Sequence, residues 1–145
     1  MSESRTNIKL LPNTKTIDKI SNILGDIPHN DFLSDSHCTL IFSPDIIEPK
    51  NIKTPNIKLP IIGTNAHFTF FDTRDDGIVL VIEFDSASAS ELFKYLKNTY
   101  KFTTKYDEYR PHITIQKNIT NPKNIKLPQI DFNFEFDNLI IEITK

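Results

Sequence analysis

The sequence predicts an α+β fold made of two similar halves. Three observations carry this. Short stretches that alternate apolar and polar residues read as strands. Two stretches, one in each half, repeat their apolar residues at helical spacing. In each half that helix is followed by a loop and then by a strand that begins with histidine. The predicted order is β-α-β-β, then β-α-β-β. With 145 residues, the chain is expected to form a single domain over 1–145, large enough for a proper core.

Taken in order, NIKLL (7–11) is a first strand. TKTIDKISNILG (14–25) is a helix, with Ile17, Ile20, Ile23 and Leu24 on one face and Gly25 as its stop. IPHNDFLSDS reads as a loop. HCTLIFS (37–43) alternates as a strand. Pro44, Pro49, Pro55 and Pro60 then interrupt the pattern, which predicts an exposed loop over 44–60. GTNAHFTFFD (63–72) and GIVLVIEFD (77–85) form two strands around the turn TRDDG. SASASELFKYLKNTY is a helix, with Ser88 and Glu91 as a capping box. PHITIQK is a strand. QIDFNFEFD and NLIIEIT read as two more, parted near Asp137–Asn138.

Composition narrows the function. Hydrophobic residues make up 38% and charged residues 25%, as in a soluble globular protein. No apolar run approaches the roughly 20 residues of a membrane helix. MSESRTNIKLL lacks a basic-then-apolar signal pattern. A single cysteine, Cys38, permits no internal disulfide and suits a reducing cytoplasm. A net charge of −2 argues against charge-driven binding of long nucleic acid but leaves room for a small anionic ligand.

Three of the four histidines are followed two places on by threonine: His37-Cys38-Thr39, His67-Phe68-Thr69 and His112-Ile113-Thr114. On a strand, His112 and Thr114 share one face while Ile113 and Ile115 take the other. If the halves are related by a pseudo-twofold axis, the strands of His37 and His112 face each other across a groove. His67 has no counterpart of this kind and is read as structural, and His29, beside Pro28, as incidental. Two imidazoles facing one scissile bond can divide acid and base work, each worth about 10²–10⁴ in rate. Threonine hydroxyls beside them can donate to phosphate oxygens. A metal site is disfavoured, since no second cysteine or clustered His/Asp set completes one. Three glycines provide no phosphate-binding loop, and no G-x-S-x-G elbow is present.

On SHCTLIFS (36–43) and YRPHITI (109–115) the chain resembles the 2H phosphoesterase superfamily, and within it the phage anti-CBASS nucleases. The resemblance runs from about Asn7 to Glu142. It implies a two-lobed fold in which two antiparallel sheets form a concave groove with helices on the outer faces. It implies metal-independent, cofactor-free hydrolysis of cyclic di- and trinucleotides such as 3′,3′-cyclic GMP-AMP, in the cytoplasm of the host. His37 and His112 would be the acid–base pair, and Thr39 and Thr114 would hold the phosphate. Tyr109 and Glu142 are candidates for base binding, and Lys9 and Arg110 for phosphate charge. The first strand departs from the relatives at Asn7 and Ile8, where an aromatic is expected, and the sequence ends short of their C-terminal aromatic tail. Two other readings stay open: a 2H enzyme acting on 2′,3′-cyclic phosphate RNA ends or 2′-5′ oligoadenylate, and a cyclic-nucleotide sponge that does no chemistry.

Overall fold

The computed structural model describes residues 4–105 and 108–144. Six strands and three helices follow in the order β1 (Arg5–Pro12), α1 (Thr14–Leu24), α2 (Asn30–Ser34), β2 (Cys38–Ser43), β3 (Ile61–Asp72), β4 (Ile78–Asp85), α3 (Ala87–Tyr100), β5 (His112–Gln116) and β6 (Phe134–Thr144). The α+β class and the doubled β-α-β-β order agree with the expectation. No helix among the described residues is long and apolar enough to cross a membrane.

Local chemistry explains the boundaries. The Asn13 side chain accepts from the Thr16 N–H at 2.9 Å and starts α1. Gly25, at φ +52°, ends it. Helix α3 is capped by Ser86, whose hydroxyl accepts from the Ala89 N–H, and not by Ser88 as the capping-box pattern predicts. The stretch after α1, expected to be a loop, contains α2. This short helix forms because Phe32 is fully buried and because Gln116 Oε1 accepts from the Asn30 N–H at 2.8 Å. The final two predicted strands are one continuous strand, β6; its ladder with β1 shifts register between Leu11 and Pro12, so Asp137 is accommodated as a bulge. Segment 44–60 lacks ladder bonds, but side chains tie it down. Thr6 donates to the Asp45 carbonyl and accepts from the Ile47 N–H, and Ile52 is buried.

All pairings are antiparallel, and hydrogen bonds join the strands into one six-stranded sheet of order β2-β1-β6-β3-β4-β5. The expectation of two sheets is replaced by this single array, for an identifiable reason. Strand β3 pairs with β6 only through Ile61–Gly63, then pairs with β4 from Thr64 on, with a register shift between Thr64 and His67 around Asn65 (φ +53°). The sheet is thus two three-stranded wings joined by a narrow seam. Reversing its order exchanges β1 with β4, β2 with β5 and β3 with β6, which is the symmetry of a twofold axis through the seam. A signal for this lies in the sequence: PKNIK occurs at 49–53 and again at 122–126, and each copy begins with a 3₁₀ turn after the histidine-bearing strand.

The core lies on one face of the sheet. Ile8, Leu10, Leu80, Ile82, Ile113 and Ile115 join Ile20 and Leu24 of α1 and Leu92, Phe93 and Leu96 of α3 in one buried cluster. At the seam Phe84 stacks on Phe136 at 5.3 Å and packs against Phe134 at 5.6 Å. Gly63 leaves the room for this, since a Cβ there would lie 2.5 Å from Phe84 Cδ2.

Candidate active site

Strands β2 and β5 are the two edges of the sheet. In a flat sheet the five intervening gaps would hold them about 24 Å apart. Instead they touch, because the wings fold toward each other at the seam. The Tyr109 hydroxyl, just ahead of β5, donates to the Thr39 carbonyl of β2 at 2.9 Å. The Cys38 thiol interacts with the backbone at His112. The starts of the two His-x-Thr motifs, 75 residues apart in the chain, are therefore neighbours in space.

The two histidines are held alike. His37 Nδ1 lies 3.2 Å from the Asp35 carbonyl, and His112 Nδ1 lies 2.8 Å from the Arg110 carbonyl, in each case two residues upstream. A carbonyl can only accept, so in the neutral form of each ring Nδ1 carries the proton and Nε2 is left as the acceptor nitrogen. His37 also places Nδ1 3.1 Å from the Asp35 carboxylate. Burial, the largest influence, holds the His112 pKa below its usual value; the Arg110 carbonyl and the Glu83 carboxylate pull it up, and the charges of His37 and Arg110 push it down. His37 and His112 are thus close enough to feel each other's charge. Thr39 and Thr114 sit two residues on, half-buried on the face away from the core. Neither hydroxyl hydrogen-bonds to another described residue.

One further carboxylate organises the second wing. Glu83 of β4 stands in register between His67 of β3 and His112 of β5. It grips Arg110 through two bonds, at 2.6 and 2.8 Å, and lies 3.5 Å from His67 Nε2. The guanidinium lies 4.7 Å over the Phe71 ring, which meets His112 edge-on at 5.0 Å. Sequence reading missed Glu83 because its value lies in cross-strand register. His67, read as structural, shares the face of His112 and is largely exposed.

The remaining candidates fall into two groups. Lys9 and Glu142 meet at 3.1 Å on the first wing, and Lys9 also reaches Asp35 at 3.8 Å, so a chain of charges runs from β6 to His37. Asn7 donates to Glu142 at 3.5 Å, and its own Oδ1 is buried with no partner among the described residues. Arg110 is on the site's face but committed to Glu83. Tyr109 points the other way. Its ring stacks on Phe93 at 4.5 Å, and its hydroxyl is spent on Thr39 and Cys38. Burial, and then the Cys38 thiol, raises the phenol's pKa; burial likewise pushes the thiol up to about 11. A separate cavity of about 730 Å³, lined in part by Lys58, Leu59, Ile62 and Asp85, contains neither histidine. Among the described residues no group of three or more His, Cys, Asp or Glu could hold a metal ion.

Fold and site together define a class: an α+β protein whose two related wings each bring one strand-borne His-x-Thr motif to a shared face. The family model described as anti-CBASS protein Acb1 matches residues 7–143, and the chain belongs to that family. Its members are directed against CBASS immunity. No curated protein matches the sequence.

Proposed function

We propose that this protein is a metal-independent phosphodiesterase of the 2H type that degrades the cyclic di- and trinucleotide messengers of CBASS immunity. The observation that carries the reading is the pairing of His37 and His112, each with Nδ1 committed to a carbonyl and Nε2 left free, at adjacent ends of β2 and β5. A ribose 2′-OH attacks the neighbouring 3′-phosphate. One Nε2 takes the hydroxyl proton, and the other imidazole, protonated, gives a proton to the departing 5′-oxygen. The phosphodiester is exchanged for a 2′,3′-cyclic phosphate and the ring opens. His112 suits the base role, because its lowered pKa keeps it neutral at physiological pH. His37 then serves as the acid. Thr39 and Thr114 donate to the non-bridging oxygens, where charge gathers in the transition state. Lys9 and Glu142 border the first wing of the site and Arg110 the second, as candidates for phosphate and base contacts.

The test is a mass spectrum of products after incubation with 3′,3′-cyclic GMP-AMP and a panel of cyclic di- and trinucleotides. Linear products are expected. His37→Ala and His112→Ala should each cut turnover by about 10²–10⁴ while the fold persists. Cleavage of RNA ends or 2′-5′ oligoadenylate alone, or recovery of intact ligand from the heated protein, would overturn the reading in favour of another 2H activity or a sponge.

A further inference from the structure

The two edge strands that carry the histidines share no sheet ladder with each other. Their separation therefore depends on side chains. The bridge between them is compact, built from a fully buried Cys38 and a half-buried Tyr109. Tyr109 lies three residues before His112 and donates to the carbonyl of Thr39, two residues after His37. The Cys38 thiol lies 3.4 Å from the same phenol oxygen and also contacts the backbone at His112. The ring is seated nearly parallel on Phe93 of α3, with 9° between the planes. Helix, first motif and second motif thus meet at one hydroxyl.

We propose that Tyr109 is a positioning residue, whose phenol latches the His37 strand to the His112 strand and sets the spacing of the two imidazoles. The proposal rests on the two-histidine reading of the site. The attacking 2′-oxygen and the departing 5′-oxygen lie on opposite sides of one phosphorus and each has to reach its own Nε2, so an error of about 1 Å between the two rings is enough to cost a factor of order 10² in rate. Phenylalanine at this position keeps the stack on Phe93 and removes only the bridging oxygen. By holding the His37 strand against β5, the latch also contributes to the burial of His112, whose ring faces Glu83 on β4, His37 beside β2, Phe71 on β3 and the Arg110 guanidinium. Loosening it hydrates the ring, and the His112 titration moves up toward its ordinary value.

The experiment compares Tyr109→Phe with Phe93→Leu. Melting curves verify that both fold. For Tyr109→Phe the expected result is a kcat at least tenfold lower, KM within about twofold, and an upward shift of the His112 ring titration followed by NMR without substrate. Phe93→Leu loosens the seat but keeps the bridge, so it should lower the melting temperature and leave kcat within about threefold. An unmoved His112 titration with unchanged kcat in Tyr109→Phe would overturn the latch, as would an equal loss of kcat in Phe93→Leu. Should wild type fail to cleave cyclic nucleotides, the functional reading falls, while the NMR titration still decides the latch.

Discussion

Replacing Glu83 with glutamine tests how the second wing tunes His112. The carboxylate accepts two guanidinium N–H bonds, at 2.6 and 2.8 Å, and its side chain is only 15% exposed. Glutamine keeps the shape and one acceptor but turns an amide N–H toward the second guanidinium N–H. Charge-assisted bonds are worth about 1.5–3 kcal/mol when shielded. Arg110 is 56% exposed, so water replaces part of the loss, and about 1 kcal/mol is the expected cost. A chain of this size would then melt about 2–4 °C lower. The electrostatic consequence is more specific. Glu83 raises the His112 pKa and Arg110 lowers it, so removing the carboxylate deletes the first effect and unmasks the second. His112, the base in the proposed mechanism, titrates lower still. The low-pH limb of the rate profile should move to more acid pH, and the plateau rate should drop severalfold because a weaker base removes the hydroxyl proton. The assay is initial rate against pH with 3′,3′-cyclic GMP-AMP. A limb that stays put, or moves toward neutral pH, would refute the reasoning.

Two stability predictions probe the parts of the fold that bring the motifs together. Gly63→Ala pushes a methyl group to 2.5 Å from Phe84, which is held between buried Phe134 and Phe136; overpacking of this kind costs about 1–3 kcal/mol and should appear as a lower denaturation midpoint in urea. A midpoint equal to wild type would mean that the seam yields freely. Phe32→Ala empties the anchor of α2, at a cost of about 3–5 kcal/mol, and should loosen the segment that delivers His37, read as faster amide exchange over 30–37. Unchanged exchange there would show that α2 is held by its hydrogen bonds to Gln116 and Lys117 without the Phe32 anchor.

The fold was largely legible because its signals are local. Every strand was read from its apolar pattern and flanking turns, with β6 read as two, and helical spacing marked α1 and α3. Two of the misreadings share a cause in contacts distant along the chain. Helix α2 exists because Phe32 finds the core and Gln116, 86 residues beyond Asn30, accepts its N–H. Strand β6 stays whole because β1 tolerates a bulge at Asp137. The cap is a local misreading: α3 begins at Ala87, so Ser86 caps it and Ser88 already lies in its first turn.

By itself the sequence determined the residue chemistry: two His-x-Thr motifs on strands whose other faces are apolar, in two halves of like order. That follows from side-chain alternation, which is a property of the strand alone. Only the tertiary structure decided that these motifs meet. One narrow seam between β3 and β6 folds the sheet so that its opposite edges touch, and Tyr109 turns inward to join them. It also decided that Glu83 stands between His67 and His112. Cross-strand register arises from pairing between distant segments, and no local spacing in the chain encodes it.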